Sequence, residues 1–305
     1  MGLRLASGTG EQISTNQSFD NLSAQKPLWI DRAFVRWQGG EQPRLSLTGG
    51  RMPNPFFMPY SSDIVWDDDY NPEGFAETVT IAPGAGWSAF LNLGQFVLDE
   101  DVGARNDQWL FAQQIGVTLP PLVGWSTALA ATYYVATNLQ DSGLGQVVCQ
   151  SGNTRGPGDC GVAPLLNDYD VLDVTALVGV PLGAVPLAVM ADYVVNTADP
   201  TDAVGRPTDD SGYQAGLILG KASGPGSWEA AYFFKSVGTD ATLADITDSD
   251  FGDGGTDRRG HIAWAAVQVT AAIQLKVKGY LTHRKDEATA QDDINRLLVD
   301  LVAHF

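Results

Sequence analysis

The sequence has few cysteines, few histidines and few basic residues. Only 2 Cys and 3 His occur among 305 residues, so neither a metal site nor a cofactor is expected. Lys and Arg total 18 against 36 Asp and Glu, and the net charge of −18 disfavours nucleic acid as a partner because its phosphates would be repelled. No run approaches the ~18 uncharged apolar residues of a membrane-spanning helix. The 8 Trp, 9 Tyr and 12 Phe exclude a disordered chain.

What the sequence has instead is a repeated alternation of apolar and polar residues. It is clear in residues 172–178, 274–282 and 297–305. Because successive side chains of a strand point to opposite faces, this pattern predicts strands with one apolar face. No segment reads as a convincing capped helix. The strands are predicted at residues 2–7, 28–38, 44–52, 73–81, 86–97, 108–119, 125–137, 168–180, 185–196, 211–221, 227–237, 260–270, 274–284 and 294–305.

The connections between these strands alternate strictly between long and short. The short ones contain turn residues, such as Pro83 and Gly84. A soluble sandwich has no reason to place every long loop at one end, whereas a transmembrane barrel has short turns on one side and long loops on the other. We therefore predict an all-β fold, a transmembrane antiparallel up-and-down β-barrel of about 14 strands, forming a single domain over residues 1–305.

Aromatic residues and the C-terminus agree with this fold. Trp87, Trp109, Trp125 and Trp228 each lie near a predicted strand start, on the parity of the apolar residues. This placement favours aromatic belts at the membrane interfaces over ordinary core aromatics. The last strand ends in Phe305, which resembles the assembly signal of bacterial outer-membrane barrels.

Three segments resemble motifs of one bacterial family. Residues 28–35 (LWIDRAFV), 47–56 (LTGGRMPNPF) and 66–74 (WDDDYNPEG) are similar to strand and loop motifs of the "putative porin" family of outer-membrane barrels. The sharp motifs cover about residues 12–75, and the remainder matches only in pattern. The resemblance implies a diffusion channel in the bacterial outer membrane. It also implies further strands before residue 3, so two alternatives stay open: a truncated sixteen-strand barrel or a complete fourteen-strand barrel.

The same alternation divides the charged side chains between lipid and lumen. If the apolar face contacts lipid, the residues of the other parity line the pore. The predicted pore-lining residues are Arg4, Arg32, Arg36, Arg44, Asp173, Asp192, Glu229, Lys276, Lys278, Arg296 and Asp300. Pairing of the first strand with the last would gather the basic ones on one wall; the alternative is scattered charges in a wide, wet pore. Glu77 and Gln113 do not fit, because they share the apolar parity.

The long loops hold most of the carboxylates and one unusually apolar segment. Acidic clusters, including residues 99–101 and 245–257, predict an acidic outer rim that interacts with cations or lipopolysaccharide. Residues 248–253 resemble a calcium loop but lack its glycine position and closing Glu, so no calcium site is expected. Residues 53–72 are expected either to fold into the lumen or to pack on other outer loops. The constriction candidates there are Trp66, Asp67, Asp68 and Asp69.

Cys149 and Cys160 are the only cysteines, and they lie in a polar, Gly-rich stretch. We predict that they form a disulfide across a surface loop in an oxidising compartment. The alternative is a pair of unlinked thiols.

These features favour a porin, a passive channel for small hydrophilic solutes or ions, with mild cation preference at low salt. The predicted partners are outer-membrane lipid, lipopolysaccharide and these solutes; a homo-oligomer is left open. The alternatives are an adhesin or receptor barrel that acts through its long acidic loops, and a secreted soluble β-protein. No enzyme activity is expected, because His283 beside Asp286 is the only candidate base.

Overall fold

The structure is a computed structural model that describes residues 1–8, 13–15, 27–60, 62–84, 86–100, 107–122, 124–140, 152–157, 163–285 and 293–303. Its strands are β1 (Gly2–Ser7), β2 (Leu28–Gly39), β3 (Arg44–Arg51), β4 (Glu73–Gly84), β5 (Trp87–Asp99), β6 (Gln108–Leu122), β7 (Trp125–Thr137), β8 (Tyr169–Leu182), β9 (Val185–Asn196), β10 (Ser211–Gly220), β11 (Trp228–Val237), β12 (Arg258–Gln268), β13 (Ile273–Arg284) and β14 (Ile294–Ala303). A single 3-10 turn, Ala244–Ile246, is the one helical element among the described residues. No helix in these ranges is long and apolar enough to cross a membrane.

All 14 strands belong to one antiparallel sheet, in the order β1 to β14. Each strand therefore pairs with its neighbours in sequence, which is the up-and-down topology of a transmembrane barrel. The predicted fold class and the count of fourteen are confirmed. In the described part of the chain, no ladder pairs β14 with β1.

Three strands continue further into the short turns than predicted. β4 ends at Gly84, β6 at Leu122 and β8 at Leu182. Leu122 pairs with Trp125, and Leu182 pairs with Val185. In the first case the register shifts between Leu119 and Leu122, which accommodates two prolines that cannot donate to a ladder.

Exposure alternates along the strands as a lipid-facing barrel requires. On β13, Leu275 and Val277 are 41% and 38% exposed, whereas Lys276 between them is partly buried. The exposed apolar side chains form the outer face, where hydrocarbon takes the place of water. Trp125 and Trp228 are also exposed at strand starts beside the short turns, where amphipathic rings suit the membrane interface.

A β-bulge in β2 alters the simple alternation near the N-terminus. Arg4 pairs with Arg32 and Leu5 pairs with Ile30, so Asp31 is an additional residue in β2. Ile30 is exposed on the outer face, while Asp31 is buried. The bulge therefore directs the adjacent Asp31 and Arg32 side chains to the same, inner side.

The apolar core lies within the barrel, where the loops at one end fold inward. The β3–β4 loop and the β11–β12 loop contribute most of the buried loop side chains. The larger apolar cluster includes Met52, Phe56, Ile64, Trp66, Phe96, Leu110, Tyr134, Leu139, Leu165, Tyr169, Leu243 and Ile246. This packing of loops against strands shapes the lumen.

Candidate functional site

Residues 53–72 of the β3–β4 loop lie against the inner wall formed by β5 and β6. The backbone N–H of Phe57 donates to Gln114 Oε1 at 2.7 Å, and Gln114 Nε2 donates to the Phe57 carbonyl at 3.3 Å. Asn92 Nδ2 also donates to Gln114 Oε1, at 2.9 Å. Because Gln114 is completely buried, these bonds replace water on both partners and fix the loop on this wall.

Trp66 is the apolar anchor of the loop. It is 1% exposed, and its ring lies 5.7 Å from that of Phe96 on β5 and 6.4 Å from that of Tyr134 on β7. Phe56 of the same loop packs edge-on against it at 6.2 Å. The indole N–H donates to the Tyr70 carbonyl at 3.1 Å, so the ring is buried without losing its hydrogen bond.

Lys235 of β11 ties two loops to the wall. Its Nζ donates to Asp63 Oδ1 at 3.1 Å and to Asp248 Oδ2 at 2.9 Å, and it lies 4.8 Å from the Phe251 ring centroid. All three charged groups are buried. Burial raises the pKa of Asp63 to about 7, and the charge of Asp248 acts in the same direction, against the opposing effect of Lys235. Lys235 was not among the predicted pore residues. The alternation along β11 could have identified it as inward-facing, because Lys235 has the opposite parity to Tyr232, which is exposed on the outer face.

The three consecutive carboxylates of the loop have different environments. Asp67 is 4% exposed and accepts the Ser249 backbone N–H at 2.7 Å, while Asp69 accepts the hydroxyl of Thr15 at 3.1 Å. Burial, together with the charge of Asp248, raises the pKa of Asp67 well above its usual value. Asp68 is exposed, and its charge acts on the ammonium groups of Lys276 and Lys278 on β13. Of the constriction candidates, Trp66, Asp67 and Asp69 hold the loop in place, and Asp68 is exposed.

The predicted pore-lining residues fall into two groups. Asp173 and Asp192 face inward, but they are 6% and 2% exposed because the inserted loops cover their wall. Asp192 accepts the hydroxyl of Thr175 at 3.2 Å. The expectation that these two carboxylates contact water in the pore is therefore wrong.

The remaining predicted residues lie on the inner side of β1–β3 and β11–β14, where the wall is partly or fully exposed. Those with the greatest exposure are Arg36, Arg44 and Asp300. Lys276 lies 5.0 Å from the Trp264 ring centroid, and Glu229 accepts the Trp264 indole N–H at 2.9 Å. Water therefore reaches an inner surface that is rich in basic side chains. We call this surface the basic wall; its basic residues are Arg4, Arg32, Arg36, Arg44, Lys276, Lys278 and Arg296.

Hydrogen bonds and ion pairs fix parts of the basic wall. Arg4 pairs with Asp31 at the bulge, and Arg32 Nε donates to Asn71 Oδ1 at 2.6 Å. At the other end of the sheet, Arg296 donates to Asp250 Oδ1 at 2.6 Å. Lys278 Nζ lies 4.8 Å from the Tyr280 ring centroid.

The β11–β12 loop links the two ends of the sheet. Arg296 of β14 donates to the Ser249 carbonyl at 2.9 Å. The hydroxyl of the same Ser249 donates to the Ile13 carbonyl, in the β1–β2 connection, at 2.8 Å. The first and last strands are therefore bridged through this loop at the long-loop end.

Part of the expected acidic rim is buried. Asp240 accepts the Tyr169 hydroxyl at 2.6 Å, and Asp245 pairs with Arg155 at 2.6 Å. Together with Asp248, these carboxylates are at most 4% exposed. The rim prediction is wrong for these residues because packing of the loops turns their carboxylates toward donors instead of solvent.

Several predicted residues give no functional arrangement. Cys149, Cys160, Asp286 and Phe305 lie outside the described residues. His283 Nε2 accepts the Arg259 Nε–H at 2.7 Å. Within the described ranges, no group of three or more His, Cys, Asp or Glu side chains is arranged to hold a metal ion.

A barrel with an exposed apolar outer face, inward-folded loops and a charged inner wall defines the porin-like class of outer-membrane proteins. The chain matches the family described as "Putative porin" over residues 1–155 and again over 149–305, and it therefore belongs to that family. The family membership predicted from the motifs in residues 28–74 is confirmed.

One of the solved structures that match this chain shows the same fold. It is a loop L8 deletion mutant of OmpT, an outer-membrane protein of Vibrio cholerae, with a TM-score of 0.51 and 7% sequence identity. The match covers 94% of this chain and 82% of that one. No curated protein matches the sequence. Family and fold together point to an outer-membrane location for this porin-like protein.

Proposed function

We propose that the protein is a passive diffusion channel for small hydrophilic solutes or ions. The observation that carries this proposal is the unequal covering of the inner face. The loops bury polar side chains on β5–β9, such as Gln114 and Asp192. On the other wall, Arg36, Arg44 and Asp300 are exposed, and Lys276 and Lys278 are only partly buried. A solute would pass between the inserted loop and the basic wall.

The charges on the two sides of this passage favour anionic solutes. The basic wall presents Lys276 and Lys278 toward Asp68, which is exposed on the loop. Opposed charges across a narrow, wet passage produce a transverse field that orients dipolar solutes. Because the structure buries Asp240, Asp245 and Asp248, the wall replaces the rim as the proposed determinant of selectivity, and anion preference replaces the mild cation preference.

The remaining roles follow from the same proposal. A channel of this kind acts without catalysis or a cofactor, and its lipid partners are outer-membrane lipid and lipopolysaccharide. An adhesin or receptor would instead present its loops to the exterior. The inward folding of the β3–β4 and β11–β12 loops favours the channel over that alternative.

Planar-bilayer recording tests this function. The folded protein should give stepwise conductance increases that are linear with voltage, and salt gradients should give reversal potentials of the sign expected for anions. A matched variant in which residues 54–70 are replaced by a short Gly-Ser linker should conduct more. If correctly folded wild type and loop-deleted protein both fail to conduct, the channel proposal is contradicted and the receptor alternative becomes the better explanation.

A further inference from the structure

Glu77 and Gln113 are polar side chains on the lipid-facing side of the barrel, on either side of Leu93, and Gln95 is a further polar neighbour on that face. Glu77 of β4 pairs in register with Leu47 and Leu93, on the same face as Phe75, which is 62% exposed. Gln113 of β6 pairs with the same Leu93 from the other side. Both therefore belong to the outer face and lie directly across β5 from each other, with that single strand between them.

These side chains have unused hydrogen-bonding capacity. Gln95 Nε2 donates to Glu77 Oε2 at 3.1 Å, which leaves the other carboxylate oxygen of Glu77 without a partner in the described residues. The exposed amide of Gln113 has no hydrogen bond in the same part of the chain. Hydrocarbon supplies neither donors nor acceptors, so polar groups on the lipid face destabilise a barrel unless something satisfies them.

We propose that the outer face of β4–β6 is the interface with a second copy of this chain, in which Glu77 of each copy accepts a hydrogen bond from Gln113 of the other. A carboxylate accepts only, whereas an amide has two N–H donors, so the pair is complementary. Neighbouring strands lie about 4.8 Å apart, so the two residues lie roughly 10 Å apart across Leu93. A two-fold axis near Leu93 forms both bonds at once, as an isologous interface does.

Apolar residues around the pair complete this surface. Ile115, 63% exposed, and Leu91, 36% exposed, lie beside Gln113 and Leu93 on the same face. They pack against their equivalents and exclude lipid from the polar pair. Acyl chains cannot supply the hydrogen bonds, and the self-complementarity of Glu77 and Gln113 identifies the partner as a second copy.

The double variant E77L/Q113L tests the interface. Wild type and variant are reconstituted in liposomes, cross-linked through their lysines and compared, with heat-shifted gel mobility confirming that each barrel is folded. The dimer should be at least about tenfold weaker in the variant, a difference of about 1.4 kcal/mol. The control N295L makes a polar-to-apolar change on the exposed outer face of β14, opposite Leu281, and should leave the dimer intact.

A disulfide experiment gives an independent readout. In a background with Cys149 and Cys160 replaced by Ser, protein carrying E77C is mixed with protein carrying Q113C in liposomes and oxidised. A heterodisulfide should form readily, while protein carrying V277C, whose side chain faces lipid on β13, should not cross-link. The proposal is overturned if folded wild type is monomeric in liposomes, or if folded E77L/Q113L dimerises as wild type does.

Discussion

Removing two charges from the basic wall should move the ion selectivity of the channel toward cations. The change is K276Q/K278Q, because both ammonium groups lie inside the lumen and neither has an ion pair within 4 Å among the described residues. An ion about 6 Å from one unit charge in water interacts by about 0.7 kcal/mol. Two such charges give about 1.4 kcal/mol, or about a tenfold change in the local anion concentration.

The dependence on salt distinguishes this effect from a structural one. The Debye length is about 30 Å at 0.01 M salt and about 3 Å at 1 M, so the shift should be large in dilute salt and small in concentrated salt. Reversal potentials across a bilayer under a KCl gradient measure this shift in selectivity at both salt concentrations. A change in pore shape would instead alter conductance at every salt concentration.

The control R206Q/K221Q removes the same number of charges outside the strands. Arg206 is exposed in the β9–β10 loop, and Lys221 is exposed at the β10–β11 turn. The control should shift the reversal potential much less than K276Q/K278Q. Equal shifts in the two variants, or no shift at low salt in K276Q/K278Q, would refute the assignment of selectivity to the wall.

Three further changes probe the inserted loop. In W66A, loss of the buried indole should destabilise loop docking by about 3–5 kcal/mol. Single-channel conductance and current noise should therefore both rise, while heat-shifted gel mobility shows that the barrel is still folded. Unchanged conductance would show that the Trp66 ring does not hold the loop. Because the pKa of Asp63 is raised to about 7 in the docked loop, protonation of Asp63 favours docking, and this contribution to docking stability is lost as pH rises through about 7. Proteolysis of the loop should therefore be slower at pH 5 than at pH 8. The variant D63N should weaken this pH dependence. Replacing the exposed carboxylate in D68N should increase anion preference at low salt, and a shift toward cations would contradict its position opposite Lys276 and Lys278.

The sequence by itself determined the strands and their two faces. Alternation in segments such as 274–282 placed Lys276 and Lys278 on the inner side, since a strand has a side-chain period of two. The strict order of long and short connections selected an up-and-down barrel. These signals are local, so they could be read without knowing which strands pair.

Tertiary structure decided what the loops do and which inner wall they cover. The bulge at Asp31, the pairing of Lys235 with Asp63 and Asp248, and the burial of Asp192 all depend on residues far apart in sequence. The sequence around a loop carboxylate does not indicate whether that carboxylate faces water or a buried ammonium group. Only packing determines which donor lies beside it, and therefore which charges remain in the passage.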